Sequence, residues 1–258
     1  MAVTAEVRDR VGWITLDRPP SNSYDEAFLE ELDRCVGEVA EAEAEAAVAV
    51  IRSASEDYFS AGVDLAELLA RSADDRVDLC RRIHQVLGRF ANEAPLFMAA
   101  IAGHALGGGY EIALACDIRV AAAGRYRIGL PDVALGLLPV AGGAQRLARL
   151  IGRGRALDLM TTGRTVTPAE AERLGMVDRL VPAGEFERAV AELAAALAAG
   201  APLAVAAITR VVNDGLERTQ EDALERELDE LADLFASEDA QEGMTAVTEK
   251  RPPRFSGR

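Results

Sequence analysis

Alternation of apolar and polar positions marks the start of the chain. Residues 4–9 and 11–16 are rich in β-branched side chains at every-other spacing, which predicts a two-stranded hairpin. Asp17-Arg18-Pro19-Pro20 ends that pattern. Ser23 reads as a helix cap ahead of the acidic residues Asp25 and Glu26, with a helix running to about Glu43. A short apolar strand is predicted over 47–51, a loop over 53–62 and a helix near Leu65. Over 78–90 the residues Leu79, Ile83, Val86, Leu87 and Phe90 recur at helical spacing. A buried strand over 96–102, a glycine-rich turn over 103–109, a helix opening at 111–116 and a strand over 118–122 follow. Repeated strand–turn–helix units argue for α/β architecture.

From about Pro182 the strand signal stops. Residues 185–199, 203–216, 221–235 and 238–250 all carry helical periodicity, and Gly200-Ala201-Pro202 separates the first helix from the second. The chain therefore divides into a core over 1–200 and a helical region over 201–258.

Size and composition narrow the classes. With 258 residues, half of them apolar, one main domain plus a helical appendage is expected. No apolar run reaches the roughly 18 residues that span a bilayer. The N-terminus has no basic segment followed by an apolar one, so a cytoplasmic protein is expected. A formal charge of −15 opposes nucleic acid and anionic membranes. Cys35, Cys80 and Cys116 have neither zinc nor disulfide spacing, and with only His84 and His104 no metal site is expected. Cys116, in an apolar run, reads as a buried small hydrophobe.

Four segments could carry chemistry. In Tyr58-Phe59-Ser60-Ala61-Gly62-Val63-Asp64-Leu65, a strand feeds a loop that can aim a backbone N–H into a cleft, though an ordinary turn has the same look. In Ala102-Gly103-His104-Ala105-Leu106-Gly107-Gly108-Gly109-Tyr110-Glu111, glycines lie between an apolar strand and a helix. That suits either tight packing or a ligand held close to free N–H groups at the positive helix end. Glu111 follows Gly108 by three residues, on one face of the first turn, beside a run that looks buried; a buried carboxylate needs a reason. Finally, Pro131-Asp132-Val133 supplies a second acid, and Gly142-Gly143 opens a helix.

Taken in order, these segments resemble the crotonase (enoyl-CoA hydratase/isomerase) superfamily. Ser60-Ala61-Gly62-Val63-Asp64-Leu65 is similar to its first oxyanion-loop motif, and Gly103 through Glu111 to its second. The stretch from Pro131-Asp132-Val133 to Gly143-Ala144-Gln145-Arg146-Leu147 resembles the segment bearing the second acid. Thr161-Thr162-Gly163 and Ala171-Glu172-Arg173-Leu174-Gly175-Met176-Val177 continue the likeness over nearly the whole chain.

The resemblance implies a spiral of ββα units with a C-terminal helical region that builds trimers, often paired into hexamers. It implies an acyl-CoA enzyme that holds a thioester enolate, first of all a hydratase giving 3-hydroxyacyl-CoA from 2-enoyl-CoA. No cofactor beyond the CoA of the substrate is implied. Glu111 and Asp132 would be the catalytic carboxylates, with the backbone N–H groups of Ala61 and Gly108 as the oxyanion hole. Arg18, Ala61, Asp64, Leu65 and Lys250 would lie along CoA; Lys250 is the only lysine in the chain. Three departures stand out. Asp132 replaces the usual glutamate and is roughly 1.5 Å shorter. Ala66 stands where a lysine is common. Asn22-Ser23-Tyr24-Asp25 replaces the usual asparagine-alanine-leucine, so the loop beside the pocket is expected to differ.

The rival readings are an isomerase, lyase, decarboxylase or thioesterase on the same fold, and a non-catalytic acyl-CoA-binding paralogue. A serine hydrolase built on Ser60 and His104 is a different class, although neither residue lies in a nucleophile-elbow pattern. His104 itself reads as structural, with the acyl pocket as its alternative place.

Overall fold

The computed structural model describes residues 1–42, 46–92, 95–216 and 218–258. Nine strands are formed: β1 (Val3–Arg8), β2 (Val11–Leu16), β3 (Val48–Ser53), β4 (Tyr58–Ser60), β5 (Leu96–Ile101), β6 (His104–Leu106), β7 (Ile118–Ala122), β8 (Ile128–Gly129) and β9 (Arg179–Val181). They make a six-stranded sheet in the order β1-β2-β3-β5-β7-β9 and a three-stranded sheet in the order β4-β6-β8. Among the described strands, β1 and β2 alone pair with each other antiparallel. Their hairpin turns through Asp9 and Arg10, both at positive φ, as a tight two-residue connection requires.

Each central strand of the large sheet is covered on both faces. Ala49, Ile51, Phe97, Ala99 and Ile101 point into the larger core, while Val48, Val50, Met98 and Ala100 point into a second core on the opposite face. That explains why these strands read as continuous apolar runs and not as alternating ones. The larger core is closed by α1 (Glu26–Glu41), α3 (Ala73–Asn92) and α4 (Gly108–Ala115), with the short α2 (Leu65–Ala70) between α1 and α3 in the chain. After α4 come α5 (Gly143–Ile151), α6 (Arg153–Thr162) and α7 (Pro168–Leu174). The second core is closed by α8 (Phe186–Ala198), through Phe186, Val190, Ala194 and Ala198. Phe90 of α3 stacks on Phe97 of β5 with ring centroids 4.8 Å apart, tying helix to sheet.

The last three helices are α9 (Pro202–Gly215), α10 (Gln220–Phe235) and α11 (Glu238–Glu249). Asn213 of α9 donates to the Ala91 carbonyl of α3 at 3.0 Å. Glu230 of α10, almost fully buried, takes Arg210 of α9 and Arg226 of its own helix at 2.6 Å each. The tail folds back on α11: the Asp239 carboxylate accepts from the N–H groups of Ser256 and Gly257, and Arg251 grips Glu242 with both guanidinium ends.

Several expectations shift. The predicted loop over 53–62 contains β4, and the glycine-rich turn contains β6; three residues are too few to show a period. The helix cap is Asp25, not Ser23: its carboxylate accepts from Phe28 N–H. The expected end of that helix at Glu43 lies outside the described residues. The helix before Cys116 begins at Gly108, three residues earlier than expected, because Gly107 at φ 50° turns the chain into it.

Phe97→Ala should remove about 3–5 kcal/mol of stability by opening a cavity under Phe90. Urea unfolding measures it, and a loss below about 1 kcal/mol would mean that the stack does not join α3 to the sheet.

Candidate active site

Two loops meet at the site, and main-chain bonds hold the first of them. Residues 21–24 run beside residues 61–64. Ala61 N–H donates to the Ser21 carbonyl, Tyr24 N–H to the Gly62 carbonyl and Asp64 N–H to the Tyr24 carbonyl, each at 2.9 Å. Gly62 N–H is taken by Ser60 Oγ at 3.1 Å. Of the N–H groups from 61 to 64, that of Val63 alone donates to no acceptor among the described residues. This corrects the expectation for Ala61. Its N–H is committed to Ser21, and the donor this loop leaves open lies two residues on. Which of the two N–H groups stays open depends on this pairing, in which the donors 61 and 64 are three residues apart.

The second loop packs directly on the first. Gly62 has φ +90°, and a Cβ there would stand 2.7 Å from Gly108 N. A Cβ on Gly109 would stand 2.0 Å from the Ser60 carbonyl oxygen. Neither position has space for a side chain, so the backbones touch. Gly108 is the first residue of α4, where the helix itself offers no partner for an N–H. The open donors of Val63 and Gly108 therefore lie side by side.

Glu111 sits one turn into α4 and has no solvent exposure. Its Oε1 accepts from the N–H groups of Ala141 and Gly143, both at 2.7 Å. Gly143 opens α5, so the positive end of that helix faces the carboxylate. A Cβ on Gly143 would stand 2.7 Å from Glu111 Cγ, which is why the loop carries glycine there. Arg146 braces the same loop by donating to the Ala141 carbonyl at 2.8 Å. Oε2 is buried and has no partner among the described residues. Burial raises the Glu111 pKa to about 7, and the nearby Asp132 adds to the rise; the Gly143 and Ala141 bonds and Arg146 pull the other way.

Asp132 opens the short 3-10 turn Asp132–Leu135. Its Oδ1 would be 3.4 Å from a Cβ on Gly107, which puts the carboxylate beside the second loop. Its Oδ2 is buried without a partner, and burial raises its pKa. Tyr24, fully buried, places its hydroxyl against Gly108 and within the fields of Glu111 and Asp132. Cys80 of α3 also lies within the field of Glu111. Neither Tyr24 nor Cys80 was among the predicted site residues. The only sequence signal for Tyr24 was the departure at 22–25.

The remaining candidates divide. Arg18 pairs with Asp25 at 2.6 Å and keeps one guanidinium nitrogen buried and unpaired. The Asp64 side chain caps α2, accepting from Ala66 and Glu67 N–H. Leu65 is half exposed. Lys250 lies exposed at the C-terminus of α11, a helix that packs on α10. Ser60 Oγ donates to the Asn22 carbonyl at 2.8 Å, and His104 Nδ1 accepts from Arg127 N–H while its ring lies on Tyr58. Both side chains are structural, which removes the serine-hydrolase reading.

Residues 6–258 match the family described as Enoyl-CoA hydratase/isomerase. The short-chain-enoyl-CoA hydratase of Clostridium acetobutylicum is 34% identical over 250 residues, covering 96% of this chain and 95% of the relative. Among solved structures, an enoyl-CoA hydratase of Geobacillus kaustophilus superposes with a TM-score of 0.97 at 37% identity, covering 100% of this chain and 97% of that one. An enoyl-CoA hydratase of Bacillus anthracis gives 0.96 at 33% identity, with 100% of both chains covered. The chain belongs to the enoyl-CoA hydratase/isomerase family and has the crotonase fold.

A carboxyl whose folded pKa is raised stabilises the fold most when protonated. For Glu111 this contribution is complete below the ordinary value of 4.5 and is lost as pH rises through about 7. Glu111→Gln keeps an oxygen for both N–H donors and cannot ionise. Its unfolding free energy relative to wild type should therefore rise between pH 4.5 and pH 8, by on the order of 3 kcal/mol. Denaturation of both proteins at a series of pH values reads the difference, and a flat difference would show that Glu111 is not desolvated.

Proposed function

We propose that the chain adds water to 2-enoyl-CoA thioesters to give 3-hydroxyacyl-CoA. One observation carries this reading above the others: two buried carboxylates, each with an unpaired oxygen, stand beside two open N–H donors. The N–H groups of Val63 and Gly108 form the oxyanion hole for the thioester oxygen. The curated and solved relatives named as hydratases support the substrate class.

The chemistry follows from the placement. Glu111, whose Oε1 is held by two N–H donors that favour its anion, takes a proton from water through Oε2. The water oxygen bonds to the β-carbon, and the double-bond electrons move onto the thioester oxygen, where the oxyanion hole holds the enolate. Asp132, whose buried carboxyl is also shifted toward its protonated form and keeps Oδ2 unpaired, delivers its proton to the α-carbon as the enolate collapses. Water has then been added across the double bond, and return of the proton from Glu111 to Asp132 through solvent resets the pair. The shorter Asp132 is the one feature that favours the alternative, an isomerase, in which a single carboxylate moves a proton between carbons through the same enolate.

CoA is read as passing Arg18, with its unpaired guanidinium nitrogen, and the Ala61–Leu65 loop. Arg251 beside Lys250 is engaged by Glu242, so Lys250 is the basic group of that pair left to meet a phosphate, across a subunit contact. Self-association is supported by a row of exposed apolar side chains on the last helices: Ile208 and Val212 on α9, Leu216 just after it, and Leu224, Leu228 and Phe235 on α10. A trimer, or two paired trimers, would cover them.

Loss of enoyl-thioester absorbance with crotonyl-CoA tests the reaction directly. Glu111→Gln and Asp132→Asn should each lower kcat by about 10²–10⁴. A protein that binds these thioesters but turns none over is not a hydratase. Ile208→Asp with Phe235→Asp should shift the mass found by light scattering to that of one chain; an unchanged mass would place the interface elsewhere.

A further inference from the structure

The Tyr24 phenol stands inside the site, and no step above uses it. Its side chain is fully buried and its hydroxyl has no hydrogen-bond partner among the described residues. The other two buried tyrosines behave differently. Tyr110 donates to the Met176 carbonyl at 2.8 Å, and Tyr126 lies 2.8 and 2.6 Å from the Ile101 and Ala122 carbonyls. Buried phenols ordinarily find a partner, so an open one points to something that arrives.

Its position says what arrives. A Cβ on Gly108 would fall 2.0 Å from Tyr24 Oη, so the hydroxyl lies on the residue whose N–H marks the thioester oxygen. The Tyr24 backbone is bonded to Gly62 and Asp64, the two neighbours of Val63, the other open donor. Phe28 stacks beside the ring with centroids 6.0 Å apart. The hydroxyl is therefore fixed against Gly108, and the Tyr24 main chain runs beside Val63. Burial, then Glu111 and Asp132, hold the phenol well above its ordinary pKa, so it remains a neutral donor. Three unpaired oxygens, Tyr24 Oη, Glu111 Oε2 and Asp132 Oδ2, share this site without bonding to one another.

We propose that Tyr24 Oη donates a third hydrogen bond to the substrate's thioester oxygen, beside the N–H groups of Val63 and Gly108. The inference rests on the acyl-thioester reading given above. The bond strengthens as charge grows on that oxygen, so Tyr24 contributes more to the enolate than to the bound substrate.

The test uses the full chain with cinnamoyl-CoA, whose conjugated absorbance moves to longer wavelength when its carbonyl is polarised. Wild type should show a clear shift at saturation. Tyr24→Phe should show a smaller one, with kcat on crotonyl-CoA lower by roughly tenfold or more, KM little changed and an unaltered melting temperature. Tyr24→Leu should match Phe in the shift, tying the effect to the hydroxyl and not to ring shape. An undiminished shift in a folded Tyr24→Phe overturns the role of Tyr24 alone. No shift in the wild-type protein overturns the acyl-thioester reading, and this inference with it.

Discussion

The site depends on one contact: the backbone of residues 60–62 pressed against the backbone of residues 107–109. Two chain segments can come this close only where neither carries a side chain, and Gly62 and Gly109 meet that need. Everything else is arranged around the contact. The ladder between 21–24 and 61–64 holds one partner in place from outside. The start of α4, packed in the larger core, holds the other. Two open N–H groups lie together because two strand–turn–helix units of the same fold present their turns at the same point.

The carboxylates impose an opposite demand. Burying two acids together is costly, and the fold lowers that cost only in part. Glu111 receives two N–H donors and the end of α5, while one oxygen of each acid stays unsatisfied. The rest of the molecule offsets the strain, with a large sheet covered on both faces and a core built from its strands and helices. Precise placement of these carboxylates and N–H groups is possible because they sit on elements that packing has already fixed.

Much of this was legible in the residues. The main strands, the long helices and the helical C-terminus follow from periodicity, and the ordered motifs single out Glu111, Asp132 and Gly108, which the structure brings close together. What escaped did so for identifiable reasons. β4, β6 and β8 have two or three residues each and show no alternation. The open donor at Val63, and not Ala61, depends on which N–H groups the 21–24 segment takes, a pairing between residues about forty positions apart. Asp25 outcompeted Ser23 as the helix cap because the chain stays extended through Tyr24, laddered to Gly62. Cys80 feels Glu111 from a helix face, where its sequence neighbours say nothing about what lies opposite.

The ladder between 21–24 and 61–64 has a consequence for how such enzymes diverge. It is made of main-chain bonds, so it is indifferent to the side chains that hang from it. The side chain at position 24 can therefore change while the bonds that place the first loop stay the same. A frame of this kind lets the lining of a pocket drift between apolar and polar, and so between one acyl chemistry and another, without refolding the protein that carries it.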